Sequence, residues 1–569
     1  MNILGISSFV HDSAACLIKH GELVANVEEE RFNRTKHTDV FPIQSIKYVL
    51  DAGGIEMSEV DAIAFNWNPY KSLIAEIIKF ALVPITYYKV YRNTNPPKNF
   101  RSIAATFKLR KIINKYFPNQ FKGQIVWVDH HLAHVASCYY LSPFSSQNAD
   151  VIIIDAHGDD CSASVYSVKD QQLHLRWKIP IFHSLGIIYT NFTNFLGFKD
   201  FEEGKTMALA SYGRDTYKNL FQAIIELQPK GRWRITDQKK YLALWSYMNG
   251  KLEKELGKKR NGGEPLEQRH FDIACSMQNC IKEAILHMIR YVAASSGNKN
   301  LALSGGIFLN CDINREITLH SGYEQIFIPP FASDTGGAVG AGLYAAFPSL
   351  EIIPEDKKTF SPYLGPEYKN EEILTAIKKH PVTYTKLKYP WKKAAEYLRD
   401  NKIIGWFQGR MEAGPRALGN RSILANPFSN EIKDHLNLKV KGREYFRPFG
   451  PITTANAALK YFDLRAPLPE LTHYMLLTVD VRPEYRKKLP GITHVDGTAR
   501  IQVVTEEFNA DIYCLLVEFE KLTGYAVLIN TSFNRHAPIV CSPEDALNCY
   551  QATKLDALFI RNYLVEMRQ

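Results

Sequence analysis

The stretch IVWVDHHLAHVASCYY (residues 125–140) decides the fold, because a short apolar run, IVWVD, passes directly into a segment with helical spacing. It also poses a chemical question. His130 and His134 are four apart and share one face of a helix, whereas His131 is rotated about 100° from His130. Two imidazoles at this spacing suit a borderline divalent metal but supply only half a site. The same residues equally fit a capped or partly buried helix start. Which reading holds depends on whether other segments bring oxygen ligands.

Outward from this stretch the strand–helix alternation continues. NILGISS reads as a strand, AACLIKHGELVANV as two strands joined at His20-Gly21, SIKYVLDAGG as a helix with a glycine stop, and AIAFNW as another strand. VIIID (151–155), LALSGG (301–306) and IFIPP (326–330) are further strand runs beside helical patterns. Such alternation predicts an α/β domain around a central sheet. Residues 71–120 and roughly 214–270, rich in Lys, Arg and aromatics, read as helical insertions. EIIPEDKKTFSPYLGPEY (351–368) has the Pro and Gly spacing of a linker. The expected domains are therefore 1–355 and 365–569.

The bulk numbers agree with two soluble domains: 569 residues, 46% hydrophobic and 22% charged. A net charge of +10 suits nucleic acid, a membrane surface or phosphate-bearing small ligands without choosing among them. Nine scattered cysteines with no CxxC pair read as reduced thiols. MNILGISSF lacks a basic region followed by an apolar core, so the expectation is a cytoplasmic protein without a secretory signal. IAEIIKFALVPITYY (74–88), interrupted by Glu76, Lys79 and Pro84, is too short and polar to span a bilayer.

Several segments carry chemistry. VIIIDAHGDD ends an apolar strand in Asp155, at the strand edge where α/β sites gather. IPPFASDTGGAVGAGLYAA places Asp334 before a Gly/Ala-rich helix start, whose small residues would let the backbone approach an anionic ligand. LALSGGIFLNCDIN, with Ser304, Gly305, Gly306 and Asn310, has the form of a phosphate-contacting loop, and EEGKTMALASYG sets Gly204 and Lys205 similarly. Each also reads as an ordinary cap or turn. Together, two carboxylates with His130 and His134 would complete a mixed nitrogen and oxygen site for Fe, Zn or Mn.

FVHDSAACLI, VEEERFNRTKHTDVFP, DHHLAHVAS, EGKTMALASYG, LSGGIFLN and FASDTGGAVGAGLYAA resemble, in order, the NodU/CmcH carbamoyltransferase family. The resemblance implies an N-terminal actin/hexokinase-like (ASKHA) duplicated α/β domain, similar to the tRNA threonylcarbamoyltransferases. It implies His130, His134, Asp155 and Asp334 as ligands of Fe²⁺, or of Zn²⁺ or Mn²⁺. It sets His11 and Asp12 near the transferred carbamoyl group, with His11 as base for the acceptor hydroxyl at an ordinary pKa near 6.5. Lys36 would neutralise a phosphate or the carbamoyl oxygen, although EEER and RTK also read as a solvated hairpin. Nucleotide contacts are expected from Gly204, Lys205, Ser304, Gly305, Gly306 and Asn310. The family's Asp-Gly-x-Gly is here Asp155-Ala156-His157-Gly158, so Ala156 restricts the backbone and His157 bears on the ligand set or acceptor pocket.

In the second domain, GWFQGRMEAGPRALGNRSILANP (405–427), KVKGREYFRPFGP (439–451), HVDGTARIQVV (494–504) and LINTSFNRHAPIV (528–540) gather cations, hydroxyls and amides on loops. A polyanion needs that combination. These segments resemble the same family, whose second domain is similar to YrdC-like α/β proteins. By matching position, Lys441, Arg447, Arg500, Ser532 and Asn534 would hold carbamoyl phosphate and Arg416 the nucleotide.

The reading is an ATP-dependent O-carbamoyltransferase. It would form carbamoyl-AMP from carbamoyl phosphate and ATP, with Mg²⁺, and pass the carbamoyl group to a hydroxyl of a natural product or sugar. Its expected partner is that small molecule, with neither membrane nor nucleic acid and with a homodimer left open. The alternative is a threonylcarbamoyltransferase-like enzyme acting on tRNA, its phosphates tracked by Lys89, Arg92, Lys98, Arg101, Lys108, Arg110 and Lys111. A nucleotide-switched interaction module would not need the cationic loops.

Overall fold

The computed structural model describes residues 1–82, 98–170, 172–236, 250–347 and 359–568. Lys89, Arg92 and most of the expected linker, 351–358, lie outside the described residues. Two compact units form, Met1–Val24 with Asp39–Phe360, and Ala25–Thr38 with Ser361–Gln569.

Assignment of 25–38 to the second unit differs from the reading by contiguous stretches, and its cause is specific. Glu28 Oε1 accepts from the Gly414 N–H at 2.7 Å, and Arg31 donates to the Gly414 carbonyl at 2.8 Å. Arg34 donates to the carbonyls of Pro538 and Ile539 at 2.6 and 2.8 Å. Glu28, Glu29 and Arg31 are buried, so EEER is not a solvated hairpin. Residues 362 and 364–366, expected in the linker, are also buried in this unit.

β1 (Asn2–Ser7), β2 (Ala14–Lys19), β3 (Glu22–Glu28), β4 (Ala62–Phe65) and β5 (Gln124–Trp127) form a sheet in the order β3-β2-β1-β4-β5, all of it in the first unit except Ala25–Glu28. The His20–Gly21 turn has positive φ at both positions, 53° and 86°, as a two-residue hairpin requires. A second sheet uses β6 (Ala149–Ile154), β7 (Cys161–Lys169) and β8 (Gln172–Pro180). After a separate hairpin of β9 (Ile225–Gln228) and β10 (Arg232–Ile235), β11 (Asn300–Ser304) and β12 (Gln325–Phe327) complete it in the order β12-β11-β6-β7-β8. The β9–β10 hairpin lies in an insertion expected to be helical. In both sheets the first strand has an antiparallel neighbour on one side and a parallel one on the other. β6, ADVIII, is buried at every position, which explains the apolar run from Val151 to Ile154, while Asp150 accepts hydrogen bonds from Ser167, Asn298 and Tyr323.

The helix Gly337–Ala346 packs on β1 and on the helix His130–Tyr139. A Cβ at Gly340 would stand 1.8 Å from the Ala133 carbonyl oxygen. The small residues after Asp334 therefore serve close helix packing, where the sequence suggested ligand approach.

The second unit holds a nine-stranded mixed sheet. Its strands are β13 (Val382–Lys386), β14 (Ile404–Phe407), β15 (Arg421–Ala425), β16 (Gly450–Thr454), β17 (Leu477–Asp480), β18 (Thr498–Val504), β19 (Val527–Ser532), β20 (Ala557–Ile560) and β21 (Tyr563–Met567). Their order is β13-β21-β20-β14-β15-β19-β16-β18-β17. Trp406, Leu424, Ile452, Leu515, Phe519 and Phe559 form its core, and β19 ends at Ser532, near Lys441.

Candidate functional site

The loops that follow β1, β5, β6 and β11 all carry site residues, as the C-terminal edges of parallel strands commonly do. β5 ends just before Asp129, and the helix His130–Tyr139 then presents His130 and His134 inward, both fully buried. Asp129 does not cap this helix; it accepts from Asn68 at 3.0 Å and from Lys71. The cap comes from Asp159, whose Oδ2 accepts the His130 N–H at 2.8 Å. Asp159 stands in the quoted VIIIDAHGDD, but nothing local tied it to the helix.

Four ligand atoms converge. Asp155 Oδ2 lies 3.3 Å from His130 Nε2 and 3.1 Å from His134 Nε2. Asp334 Oδ1 lies 3.5 and 3.6 Å from the same nitrogens, and the two nitrogens are 3.2 Å apart. One donor atom from each of the four residues falls within 4.8 Å of every other. Two imidazole nitrogens and two carboxylate oxygens make a donor set that suits a divalent transition ion. His131 faces elsewhere, with Nδ1 2.7 Å from Ser164 Oγ. Trp67, which the sequence reading passed over, stacks on His130 at 4.0 Å.

The electrostatics fit the same donor set. Burial alone would push His130 down, but Asp334 and Asp155 outweigh it and hold its pKa up to about 10. His134 is also raised, again by the carboxylates against burial. The carboxyls resist burial in turn, and the histidines hold both below the usual range. Without an ion, protons thus occupy the positions a cation would take.

His11 stands beside this cluster, with Nε2 3.4 Å from Asp334 Oδ2 and Nδ1 2.9 Å from Asp12 Oδ2. Phe9 and Asp12 have φ of 74° and 51°, a strained loop that aims the imidazole. Burial lowers the His11 pKa, but Asp334 and Asp12 raise it to about 9. Asp334 and Asp12 thus favour the protonated imidazole, against the ordinary value expected from the sequence.

The residues expected to contact nucleotide also make contacts within the protein. Ser304 Oγ donates to the Ala332 carbonyl at 3.1 Å and lies 2.9 Å from His134 Nδ1. The Gly306 N–H donates to Asp155 Oδ1 at 3.3 Å. Gly305 has φ 109°, and a Cβ there would meet the Ile154 carbonyl at 2.1 Å. Asn310 caps the helix Cys311–His320 by accepting from the N–H groups of Asp312 and Ile313. Gly204 and Lys205 lie in the first turn of the helix Glu203–Ala210, with Lys205 paired to Glu202 at 2.7 Å. His157 Nε2 accepts from Lys79 Nζ at 2.8 Å.

In the second unit, buried Lys441 donates to the Ser532 carbonyl at 2.8 Å, and to the Asn534 carbonyl and Oδ1 at 2.7 and 2.6 Å. Burial, then Arg443, Arg447 and Lys36, pushes its pKa well below the ordinary lysine value. Arg443 is likewise depressed, by burial and then by Arg447, Arg500 and Arg416, with Glu444 opposing. The structure thus brings Lys36, Arg416, Lys441, Arg447, Arg500, Ser532 and Asn534 into one electrostatic neighbourhood. Arg443, named in the sequence but given no role, interacts with most of these cations. Lys36, expected to neutralise a phosphate or the carbamoyl oxygen, belongs to this unit.

The description Carbamoyltransferase N-terminus matches residues 2–343, and Carbamoyltransferase C-terminus matches residues 395–567. The chain belongs to the carbamoyltransferase family and is a transferase enzyme. It is 37% identical to an uncharacterized protein of Synechocystis over 99% of this chain and 96% of that one. It is 33% identical to nodulation protein NolNO of Sinorhizobium fredii, over 99% of this chain and 80% of the relative. HypF of T. kodakarensis aligns with 61% of this chain and 48% of its own at 14% identity, with a TM-score of 0.32, too low to define the fold.

Proposed function

We propose that the protein is an ATP-dependent O-carbamoyltransferase working in two stages, one in each unit. The observation that carries this reading is the division of charge: a His/Asp cluster in the first unit and an excess of cations around Lys441 in the second. The second unit has the role of a YrdC-like domain, and the first, whose two sheets share one strand order, that of a duplicated actin-like domain.

Carbamoyl phosphate binds at Lys441, Arg447, Arg500, Ser532 and Asn534, where its charge offsets the mutual repulsion of the cations. Water cleaves it to carbamate and phosphate. The carbamate oxygen then attacks the α-phosphorus of ATP, brought with Mg²⁺ and contacted by Arg416, giving carbamoyl-AMP and pyrophosphate. In the first unit His130, His134, Asp155 and Asp334 would hold a divalent ion such as Fe²⁺, which would supply Lewis acidity when bound. His11, with Nε2 3.4 Å from Asp334 and Nδ1 on Asp12, is the base for the acceptor hydroxyl when its Nε2 is unprotonated. It then takes the proton of the acceptor hydroxyl as the oxygen attacks the carbamoyl carbon and AMP departs. Asp12, on Nδ1, keeps the ring oriented. Gly204, Lys205, Gly305, Gly306 and Asn310 border the adenylate.

Support for a small-molecule acceptor comes from the family and from nodulation proteins among the relatives. A tRNA acceptor has no such support. Incubation with carbamoyl phosphate, ATP, Mg²⁺ and a panel of sugars and hydroxylated natural products tests the reading. The expected result is a mass gain of one carbamoyl group on an acceptor, with one AMP per product. Pyrophosphate-free carbamoylation, or carbamoylation of tRNA alone, would contradict it.

A further inference from the structure

One helix of the first unit is turned inside out. Along Pro69–Leu82, Tyr70, Ile74, Ile77 and Ile78 are 60, 58, 55 and 48% exposed. These positions follow the i, i+4, i+7, i+8 pattern of a single face. Glu76 and Lys79 are buried instead and pair at 2.6 Å. A water-facing helix normally reverses that arrangement, so a continuous apolar outer face calls for something to cover it.

The charge around this face indicates what that is. Between residues 77 and 128 the sequence holds ten Lys and Arg and no Asp or Glu, of which Lys79 is buried and Lys89 and Arg92 lie outside the described residues. Tyr70 meets Phe107 edge-on at 5.1 Å, joining the face to the helix Lys98–Phe107. Arg101 on that helix, Lys108 after it and Lys111 on Leu109–Tyr116 are all exposed.

We propose that this face seats the protein on an anionic lipid surface, the isoleucines and Tyr70 entering the headgroup boundary while the cations meet lipid phosphates. A short helix with an apolar outer face and flanking Lys and Arg has the composition of an interfacial element. No helix among the described residues is long and apolar enough to cross a membrane, so the contact is with a surface. Nucleic acid would use the cations but gain nothing from exposed isoleucines. A two-fold contact between copies would bring the exposed Arg101, Lys108 and Lys111 of one copy toward those of the other.

The test is flotation of the full chain with vesicles of equal parts phosphatidylcholine and phosphatidylglycerol, against phosphatidylcholine alone. Binding is expected to the anionic vesicles and to fall at least ~10-fold when salt rises from ~0.1 M to ~0.5 M. The variant Ile74→Ser with Ile77→Ser and Ile78→Ser changes only exposed side chains and keeps its circular dichroism. It should lose binding by about tenfold or more, as should Arg101→Glu with Lys108→Glu and Lys111→Glu. Equal recovery with neutral vesicles, or none with either, would overturn the proposal. So would tRNA binding that ignores the isoleucine changes, or a dimer that those changes dissociate while vesicles go unbound.

Discussion

Ser304 Oγ gives its proton to the Ala332 carbonyl and therefore receives one from His134 Nδ1, 2.9 Å away. That pairing fixes the histidine's tautomer and turns its Nε2 toward Asp155 and Asp334. Ser304 thus orients a member of the His/Asp cluster. Ser304→Ala should weaken binding of a divalent ion about 10–100-fold, and Ser304→Thr should retain most of it. Metal titration of the stripped protein checks this, and unchanged affinity in Ser304→Ala would remove the role.

The neighbouring histidines predict a contrast. His130→Ala deletes a member of the four-residue cluster and should abolish stoichiometric metal, as measured by elemental analysis. His131→Ala removes a ring held by Ser164 and Cys161, outside the cluster. Metal content should persist, with a stability loss of about 1–3 kcal/mol from the unpaired buried groups. Equal metal loss in both variants would refute the assignment.

The site's protonation predicts a pH dependence. His130 and His11 are raised from 6.5 to about 10 and about 9. A raised histidine pKa contributes stability that is complete below the unfolded value and lost as pH climbs through the folded one. The melting temperature of metal-stripped protein should therefore fall between about pH 7 and 10. Metal-loaded protein should fall much less, because the ion replaces those protons. A stripped protein whose melting temperature rises over that range would contradict the arrangement.

Gly340 tests what the small residues after Asp334 are for. Its missing side chain admits the Ala133 carbonyl, so Gly340→Ala should force the two helices apart and cost at least ~2 kcal/mol in denaturant unfolding. Metal binding should weaken with it, since His130 and His134 ride on the displaced helix. A variant as stable as wild type would return the segment to a ligand-facing role.

Much of the first unit was legible because its signals are local. His20-Gly21 marks a hairpin, Gly53 ends the helix Ile43–Ala52, and the run VIIID announces a buried strand that hands over Asp155. The spacing of His130 and His134 pointed to one half of the four-residue His/Asp cluster. What escaped depends on distant partners. Glu28 and Arg31 join the second unit through Gly414, nearly four hundred residues on, and no periodicity encodes that. Asp159 caps a helix that begins 29 positions earlier. The SGG turn has the form of a phosphate loop, yet its serine serves His134 across 170 residues. Lys36 reads as part of a basic loop wherever it lies, and only its surroundings place it near Lys441.

The central claim is that activation and transfer are separate chemistries in separate units. It is tested most directly by measuring pyrophosphate and carbamoylated product side by side for wild type, Lys441→Ala and Asp155→Ala. Lys441→Ala removes the cation held by Ser532 and Asn534 and should abolish carbamoyl-phosphate-dependent pyrophosphate release, and product with it. Asp155→Ala breaks the His/Asp cluster and should leave pyrophosphate release measurable while product vanishes. His11→Ala should follow Asp155→Ala, losing about 10²–10⁴-fold in transfer. If Asp155→Ala, still folded by circular dichroism, loses pyrophosphate release as completely as Lys441→Ala, the division between the units is wrong.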